Sequence, residues 1–441
     1  ELKHLKHASS KDMKKIIDNF PSPFDLATAP LLHVEMYILD NCKTLILIDT
    51  HHIIVDGTSL NIMIRDFCNI YNNVDTVTSA NQISYKDFSV WENRQISSEK
   101  QSSIENYWLS KFQNRQIPVL DLPYDYSRPV IKSYNGNKIS KQISKSDFEK
   151  YENFAKSIGV SSYMFFATAF LIVLYKITNQ NEIIIGTPTA GRDLEELQNI
   201  IGMFVNNIVL DNVIDANDSI LDLIEKVKNT TLDALAYQPY PYDKLVKKLN
   251  LEKDMSRNPL FDVMFIYQNL PHSNICLNNK SAKLIESKTK IAKFDLSLEV
   301  LPFKHTLNLE YCTDLFKKHT MENFLDHYLQ VLENMYQDIN TKVQDISILT
   351  KTEENYLLNT FNDTYLRIPE NETISTLFEK QALKTPNNTA IAFHDKSISF
   401  DLLNKYANSL ARYLRNLNIS RNDIIGIMLP RSLELIISML G

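Results

Sequence analysis

Glycine is scarce in this chain, with 8 residues among 441, whereas soluble proteins contain roughly 7% glycine. Glycine is the residue that allows positive φ angles and close approach of the backbone to a ligand. The sequence has no glycine-rich loop, so it offers no backbone cradle for phosphate groups. We therefore expect no nucleotide chemistry within these residues. Five of the eight glycines lie in the short motifs described below.

The length and composition predict a folded protein with two to three cores. Hydrophobic residues make up 44% and charged residues 23% of the chain, as in globular proteins. The net charge of -6 and the lack of a basic stripe exclude a nucleic-acid scaffold. The longest apolar stretch, residues 164–175, is shorter than the roughly 20 residues that span a bilayer, so we predict a buried helix and no membrane partner. The start resembles no signal peptide, and the cysteine spacing indicates neither disulfides nor a zinc site, which favours a cytoplasmic location.

Periodicity along the chain predicts a mixed α/β (α+β) fold. Predicted strands lie at residues 31–39, 43–50, 182–185, 204–210, 261–268 and 306–312. Predicted helices lie at residues 101–112, 146–176 with a break near Gly159, 220–237 and 321–336. Two turns are predicted to close hairpins, Asp40-Asn41 between the first two strands and Asn135-Gly136 further on.

The character of the sequence changes near residues 346–362, which form a polar helix and loop. Beyond them, residues 390–393 and 424–429 are predicted strands that alternate with predicted helices at residues 400–417 and 433–440. This alternation predicts the beginning of a parallel α/β domain.

The sharpest feature is the segment His51-His52-Ile53-Ile54-Val55-Asp56-Gly57, between a predicted strand and a predicted helix that starts at Thr58 and Ser59. Histidine titrates near neutral pH and can therefore accept and release protons. Adjacent residues of a strand face opposite sides, so one histidine can face a cleft while the other packs. Asp56 is expected to fix the loop by hydrogen bonding or an ion pair. Gly57 permits a sharp turn or a positive φ, and its N–H lies near a helix N-terminus.

The residues alone leave three interpretations of this segment open. The first is a structural turn with a hydrogen-bonded histidine, and the second is a loop that carries a general base. The third is a metal site, which is disfavoured because neighbouring histidines face opposite sides and no third ligand lies nearby. We therefore predict no bound metal.

The segment H-H-x-x-x-D-G resembles the signature of the condensation domains of nonribosomal peptide synthetases, relatives of chloramphenicol acetyltransferase. Other motifs of that family have counterparts in the same order, at residues 24–26, 29–32, 186–192, 201–207, 240–246 and 256–265. Adenylation-domain motifs resemble residues 361–364, 399–404, 407–408, 423–427 and 431–434. Each motif alone is weak, but their common order is specific to the family.

The resemblance implies two chloramphenicol-acetyltransferase-like lobes, the first of them N-terminally truncated, followed by the beginning of an adenylate-forming α/β domain. We expect the first lobe at residues 1–125, the second at 126–345, a linker at 346–370 and the start of the adenylation domain at 371–441. The ATP loop and the amino-acid pocket of that last domain are expected beyond Gly441. An arginine-bearing motif of the family is expected before Glu1; if its arginine anchors Asp56, the partner of Asp56 lies outside this chain.

The resemblance also implies a reaction. Condensation domains join an upstream carrier-bound acyl or peptidyl thioester to the amine of a downstream carrier-bound aminoacyl thioester. His52 is then expected at the reacting amine, as a base or as a hydrogen-bonding group, and the N–H of Gly57 at the developing oxyanion. His51 and Asp56 are expected to organise the loop. No cofactor is expected to bind directly, because phosphopantetheine arms deliver the substrates.

The expected partners are the upstream and downstream peptidyl carrier domains and the adenylation domain of the same polypeptide. Two alternatives remain. A coenzyme-A-dependent acyltransferase of the same superfamily usually carries an Asp-Phe-Gly-Trp-Gly stretch, which this sequence lacks. A non-catalytic module that only docks carrier proteins is disfavoured by the intact histidine motif.

Overall fold

A computed structural model describes residues 4–8, 10–39, 43–74, 83–95, 99–269, 275–278, 280–285, 290–367, 372–420 and 422–441. The chain divides into two compact units, residues 1–354 and residues 355–441. Each unit is described by itself below.

The first unit begins with a three-stranded sheet, and we call residues 4–95 the small-sheet region. Its strands are β1 (His4–Ala8), β2 (Leu32–Leu39) and β3 (Thr44–Thr50), and its helices are α1 (Ser10–Asn19), α2 (Gly57–Tyr71) and α3 (Tyr85–Gln95). β1 runs parallel to β2, and β2 runs antiparallel to β3. The antiparallel pair confirms the hairpin that alternating apolar residues predicted, although its turn, Asp40-Asn41, lies outside the described residues.

Residues 99–354 contain a six-stranded sheet, and we call them the large-sheet region. Its strands follow the order β4-β11-β10-β7-β5-β6 across the sheet. The strands are β4 (Gly136–Gln142), β5 (Glu182–Thr189), β6 (Asn206–Val213), β7 (Val263–Tyr267), β10 (Leu296–Leu301) and β11 (Thr306–Cys312), with the short hairpin β8 (Cys276–Leu277) and β9 (Lys280–Ser281) between β7 and β10. Its helices are α4 (Glu99–Phe112), α5 (Lys145–Ser157), α6 (Ser162–Thr178), α7 (Ile220–Ala236), α8 (Tyr242–Leu249), α9 (Lys318–Gln337) and α10 (Lys351–Asn355), which ends at the first residue of the second unit.

Helix α6 is the centre of this core, because every residue from Met164 to Tyr175 is buried. The predicted break before it is confirmed: α5 ends at Ser157, and Gly159 takes a positive φ of 74°. No single helix in the described part of the chain is long and apolar enough to cross a membrane. The helices α5 and α6 pass that test only together, as a pair bent by 105°.

The hairpin predicted at Asn135-Gly136 is wrong. Gly136 begins β4, whose partner is β11, more than 160 residues further along the chain. A Cβ atom on Gly136 would lie 2.3 Å from the backbone nitrogen of Ala292. The glycine is therefore required for close contact between distant backbones, and the same dipeptide that favours a tight turn serves a long-range contact here.

Helix α4 belongs to the large core, although it precedes the predicted lobe boundary at residue 125. Trp108 is 2% exposed and lies in the same apolar cluster as the side chains of α6. Its indole N–H donates to the carbonyl of Tyr237 at 3.0 Å. The irregular segment after α4 then leads to β4 without further helices or strands.

The second unit contains one antiparallel hairpin, a π-helical turn (Tyr356–Thr360) and three further α-helices among its described residues. The strands are β12 (Thr389–Phe393) and β13 (Lys396–Ser399), and the helices are α11 (Ile374–Lys384), α12 (Phe400–Asn416) and α13 (Leu433–Leu440). The strand predicted at residues 424–429 is absent, and Ile424 there is 98% exposed. A strand needs a neighbour to pair with, and no described residue pairs with this segment; the parallel sheet predicted here is therefore not formed.

Candidate functional site

The histidine motif forms a tight loop between β3 and α2. β3 ends at Thr50, and α2 begins at Gly57 with Asp56 as its N-cap residue. The helix thus starts one residue earlier than the sequence predicted. His51 is half-buried and His52 is exposed, so the two neighbouring rings lie in different surroundings, as predicted.

His51 stabilises the turn. Its backbone N–H donates to the carbonyl of Leu31 at 3.1 Å, and its Nδ1 accepts the N–H of Ile53 at 3.1 Å. Its ring meets the ring of Phe24 edge-on, with centroids 6.2 Å apart. Because Nδ1 accepts a backbone hydrogen, this imidazole is occupied with holding the loop.

His52 has the opposite hydrogen-bonding arrangement. Its Nδ1 lies 2.7 Å from the carbonyl oxygen of Val55. A carbonyl oxygen can only accept, so Nδ1 carries a hydrogen, and in the neutral ring Nε2 has the lone pair. The Val55 side chain is buried, at 5% exposure, and anchors this end of the loop. The loop therefore presents an exposed imidazole in the tautomer that a proton acceptor requires.

Asp56 is 2% exposed and accepts hydrogen bonds on both carboxylate oxygens. Oδ1 accepts the N–H and the hydroxyl of Ser59, each at 2.7 Å, which caps α2. Oδ2 accepts the N–H of Phe204 at 3.2 Å. Nη2 of Arg192 lies 3.0 Å from each oxygen. A buried carboxylate needs such a set of donors to remain ionised.

Asp56 has an ion-pair partner, Arg192, in the large-sheet region, so its charge is paired within this chain. Arg192 follows the end of β5, is 5% exposed, and stacks its guanidinium over the Phe204 ring at 4.0 Å. Its Nη1 donates to the carbonyls of Leu197 and Ile200 at 2.6 and 2.7 Å. The arginine therefore connects the loop 190–204 to the N-terminus of α2.

Gly57 does not have the positive φ that the sequence analysis allowed for it. The described glycines with positive φ are Gly159 and Gly191, so Gly57 does not use the left-handed region. It occupies the first helical position of α2 and is exposed. No acceptor in the described part of the chain pairs with its N–H. The first N–H groups of a helix point outward with partial positive charge, so this donor is available to an anionic oxygen.

A second contact joins the two regions beside this site. Tyr85 of α3 donates its hydroxyl to the carbonyl of Met203 at 2.8 Å, and its ring meets that of Phe204 at 5.1 Å. Burial raises the pKa of Tyr85, and the carboxylates of Glu92 and Asp56 raise it further. The hydroxyl consequently remains a donor at neutral pH.

Two other sequence motifs of the large-sheet region are structural. The side chain of Asn206 donates to the carbonyls of Gln238 and Tyr240 and accepts the N–H of Tyr242, which holds the start of α8. Arg257 donates to Asp262 at 2.6 Å. Among the described residues, no group of three potential ligands could hold a metal ion.

Sequence reasoning missed the contacts of Arg192 and Ser59 with Asp56. The available signal was an aspartate at a predicted helix start, which was expected to fix the loop by hydrogen bonding or an ion pair. Several arginines satisfied that requirement equally well, and only the fold selects Arg192 from them.

Residues 1–358 match the condensation domain family, and residues 378–441 match the AMP-binding enzyme family. Gramicidin S synthase 2 from Aneurinibacillus migulanus is 36% identical over 434 residues, which cover 98% of this chain and 10% of that protein. Bacitracin synthase 1 from Bacillus licheniformis is 39% identical over 427 residues, which cover 96% of this chain and 8% of that protein.

The crystal structure of a four domain nonribosomal peptide synthetase bound to AMP and glycine has a similar fold, with a TM-score of 0.80 at 20% identity. The match covers 96% of this chain and 33% of that one. It confirms the predicted fold class. The chain spans only about a tenth of its curated relatives. By these matches the chain belongs to the condensation domain family of the nonribosomal peptide synthetases and continues into the beginning of an AMP-binding domain.

Proposed function

We propose that the protein containing this chain forms amide bonds between two carrier-bound thioesters. The donor is an acyl or peptidyl thioester on an upstream carrier domain, and the acceptor is an aminoacyl thioester on a downstream carrier domain. His52 is the catalytic residue, the N–H of Gly57 assists at the oxyanion, and His51 and Asp56 are positioning residues.

The observation that carries this proposal is the geometry of His52. Its Nδ1 is engaged by the carbonyl of Val55 at 2.7 Å, and its ring is exposed. Its free Nε2 can accept a hydrogen bond or a proton from an incoming amine. A structural histidine would instead be enclosed by packed side chains and would use both nitrogens within the protein.

The reaction balances with this one base. The amine nitrogen attacks the thioester carbonyl, a C–N bond forms, and the carbonyl oxygen becomes anionic. Nε2 of His52 takes the proton that the nitrogen loses, while the N–H of Gly57 stabilises the oxyanion. The C–S bond then breaks, and the proton passes to the thiolate of the donor arm. Because a thioester is already activated, correct positioning of the two tethered substrates supplies much of the rate.

The proposal includes partners and boundaries. Phosphopantetheine arms of the two carrier domains bring the substrates, so no cofactor binds permanently. The adenylation domain that begins in this chain is a further partner in the same polypeptide. We propose lobes at residues 1–125 and 126–345, a linker at 346–370 and the adenylation start at 371–441. The free thiols of Cys68, Cys276 and Cys312 support a reducing, cytoplasmic location.

The test is His52→Ala in the intact protein, with both carriers loaded beforehand and the amide product measured by mass spectrometry. We expect the single-turnover rate to fall roughly 10²- to 10⁴-fold while hydrogen exchange in α2 stays unchanged. His319→Ala is the matched control, because His319 is also exposed but lies on α9, outside the histidine loop. The rate of the His319→Ala variant should equal that of the unmodified protein. Full activity of His52→Ala would remove His52 from the mechanism.

The same assay separates the two alternatives. Product formation from a soluble acyl-coenzyme A, without a donor carrier, would identify an acyltransferase of the wider superfamily. Binding of both loaded carriers to the unmodified protein with no product would identify a docking module.

A further inference from the structure

The hydroxyl of Ser59 makes four polar contacts beside the histidine loop. Ser59 is 0% exposed. Its Oγ lies 2.7 Å from Oδ1 of Asp56, 3.0 Å from Nη2 of Arg192, 3.0 Å from the nitrogen of Gly202 and 2.8 Å from the oxygen of Gly202. A hydroxyl has one hydrogen and two acceptor sites. It therefore accepts from Arg192 and from Gly202 N–H, and it donates its one hydrogen to Asp56, because the charged carboxylate is a stronger acceptor than the carbonyl of Gly202.

Three of these four contacts connect the two regions of the first unit. Ser59 and Asp56 belong to the small-sheet region, whereas Arg192 and Gly202 belong to the large-sheet region. The backbone at Gly202 is enclosed from the other side by Tyr85, whose ring would lie 2.1 Å from a Cβ atom at that position. The peptide groups of Gly202 therefore have no room to move away from the hydroxyl.

The same helix is attached to the large-sheet region at two more points. Arg65 donates to the side-chain oxygen of Asn199 at 2.9 Å. Near the last turn, the side chain of Asn72 donates to the carbonyl of Cys276 at 2.8 Å and accepts the N–H of Asn278 at 2.7 Å. Helix α2 is thus held along its length, and Ser59 is the attachment nearest to the histidine loop.

A short path leads from this hydroxyl to the imidazole of His52. Ser59 fixes the carboxylate of Asp56, and Asp56 shares a peptide bond with Val55. The carbonyl of Val55 in turn accepts the hydrogen of Nδ1 of His52 at 2.7 Å. If Asp56 rotated, the peptide group between Val55 and Asp56 would rotate with it. The imidazole of His52 would then no longer be held in one orientation by the carbonyl of Val55.

We propose that Ser59 is a positioning residue for the reaction: its hydroxyl joins the histidine loop to the segment 197–204 of the large-sheet region and so fixes the direction of Nε2 of His52. This role rests on the proposed function. It explains why a hydroxyl that forms no part of the H-H-x-x-x-D-G pattern is completely buried among charged and backbone groups. A change in the separation of the two regions would act on His52 through this residue.

The test compares Ser59→Ala, Ser59→Cys and Ser59→Thr in the intact protein with preloaded carriers. Cysteine keeps the size of the side chain but hydrogen-bonds weakly, and threonine keeps the hydroxyl. We expect the alanine and cysteine variants to lose roughly 10- to 100-fold in single-turnover rate, with an unchanged half-saturating concentration of the acceptor carrier. Their solvent deuterium isotope effect should rise, because a misdirected base makes proton transfer limiting. The threonine variant should retain most of the rate.

The matched control is Thr58→Ala, because the hydroxyl of the neighbouring residue has no partner in the described part of the chain and its loss should leave the rate unchanged. The proposal is overturned if Ser59→Ala and Ser59→Cys keep rates within twofold of the unmodified protein. It is also overturned if their losses match the fraction of unfolded protein, or if Ser59→Thr loses as much as Ser59→Ala. His52→Ala in the same assay distinguishes a failure of the proposed function from a failure of the role of Ser59. An active His52→Ala variant refutes the proposed function. An inactive His52→Ala variant together with an active Ser59→Ala variant refutes only the role of Ser59.

Discussion

Replacing Asp56 by asparagine removes a negative charge from the most buried ion pair at the site. The side chains of Arg192 and Asp56 are only 2% and 1% exposed. Asparagine has the same shape and remains a good N-cap residue, so it keeps the capping contact with α2. The substitution therefore leaves the guanidinium of Arg192 buried without its counter-charge, and it also replaces the oxygen that accepts the N–H of Phe204.

The expected loss in unfolding free energy follows from the buried guanidinium that has lost its counter-charge. Removing one partner of a buried ion pair costs about 3–5 kcal/mol. Asp56→Ala also loses the N-cap, which adds about 1 kcal/mol. With a urea dependence of about 3 kcal/mol per M, Asp56→Asn should lower the unfolding midpoint by about 1 to 1.7 M. The double variant Asp56→Asn with Arg192→Met should recover much of this loss, because replacing both charges is often close to neutral.

The assay is urea unfolding of the intact protein, followed by hydrogen exchange of peptides from α2. The matched control is Asp66→Asn on the same helix, since Asp66 pairs with Arg65 but is 43% exposed. We expect the control to change the unfolding free energy by less than about 0.5 kcal/mol. An Asp56→Asn midpoint within about 0.2 M of the unmodified protein would refute the reasoning. Simple additivity of the two single variants in the double variant would also contradict it. Normal stability with lost activity would move Asp56 into the chemistry.

Two further predictions concern the same unit. Burial raises the pKa of Glu353, but hydrogen bonds from Thr350 outweigh it and hold that pKa below its usual value. This contribution to stability is present at neutral pH and is lost as the pH falls through the folded-state pKa. Glu353→Gln should therefore reduce the fall in unfolding free energy at acidic pH, whereas the control Glu354→Gln, at an exposed position, should not. Gly191→Ala should destabilise the protein more than Gly159→Ala in the same urea assay: both glycines have positive φ, but a Cβ on Gly191 would lie 2.0 Å from a backbone oxygen, and a Cβ on Gly159 meets nothing within 4 Å. Equal losses would contradict the role assigned to the packing of Gly191.

The buried face of helix α2 could not be predicted from the local sequence. The apolar repeat that predicts this helix includes Leu60, Phe67 and Tyr71, which are 38%, 44% and 50% exposed. The face buried in the structure instead carries Ser59 and Ile62. Periodicity predicts that a helix forms, because the repeat of 3.6 residues is local. It does not predict which face becomes buried when polar contacts with another segment decide the orientation.

The sequence alone determined most elements of the large-sheet region and the histidine loop. The helix at 146–176 with its break at Gly159 and the strand Thr306–Cys312 follow from spacing and turn residues, which act over a few residues. The sequence also predicts different surroundings for His51 and His52, although both residues lie in the loop after β3 and not in the strand. The family resemblance identified His52 as the residue to examine.

Only the tertiary structure decided which distant residues meet. It paired β4 with β11 where the dipeptide Asn135-Gly136 predicted a hairpin. It also brought Arg192, 136 residues further along the chain, onto Asp56 and placed the hydroxyl of Ser59 between them. Such contacts depend on which surfaces the packed sheets bring together, and a buried charge accepts whichever partner the fold supplies. No local pattern in the sequence records that choice.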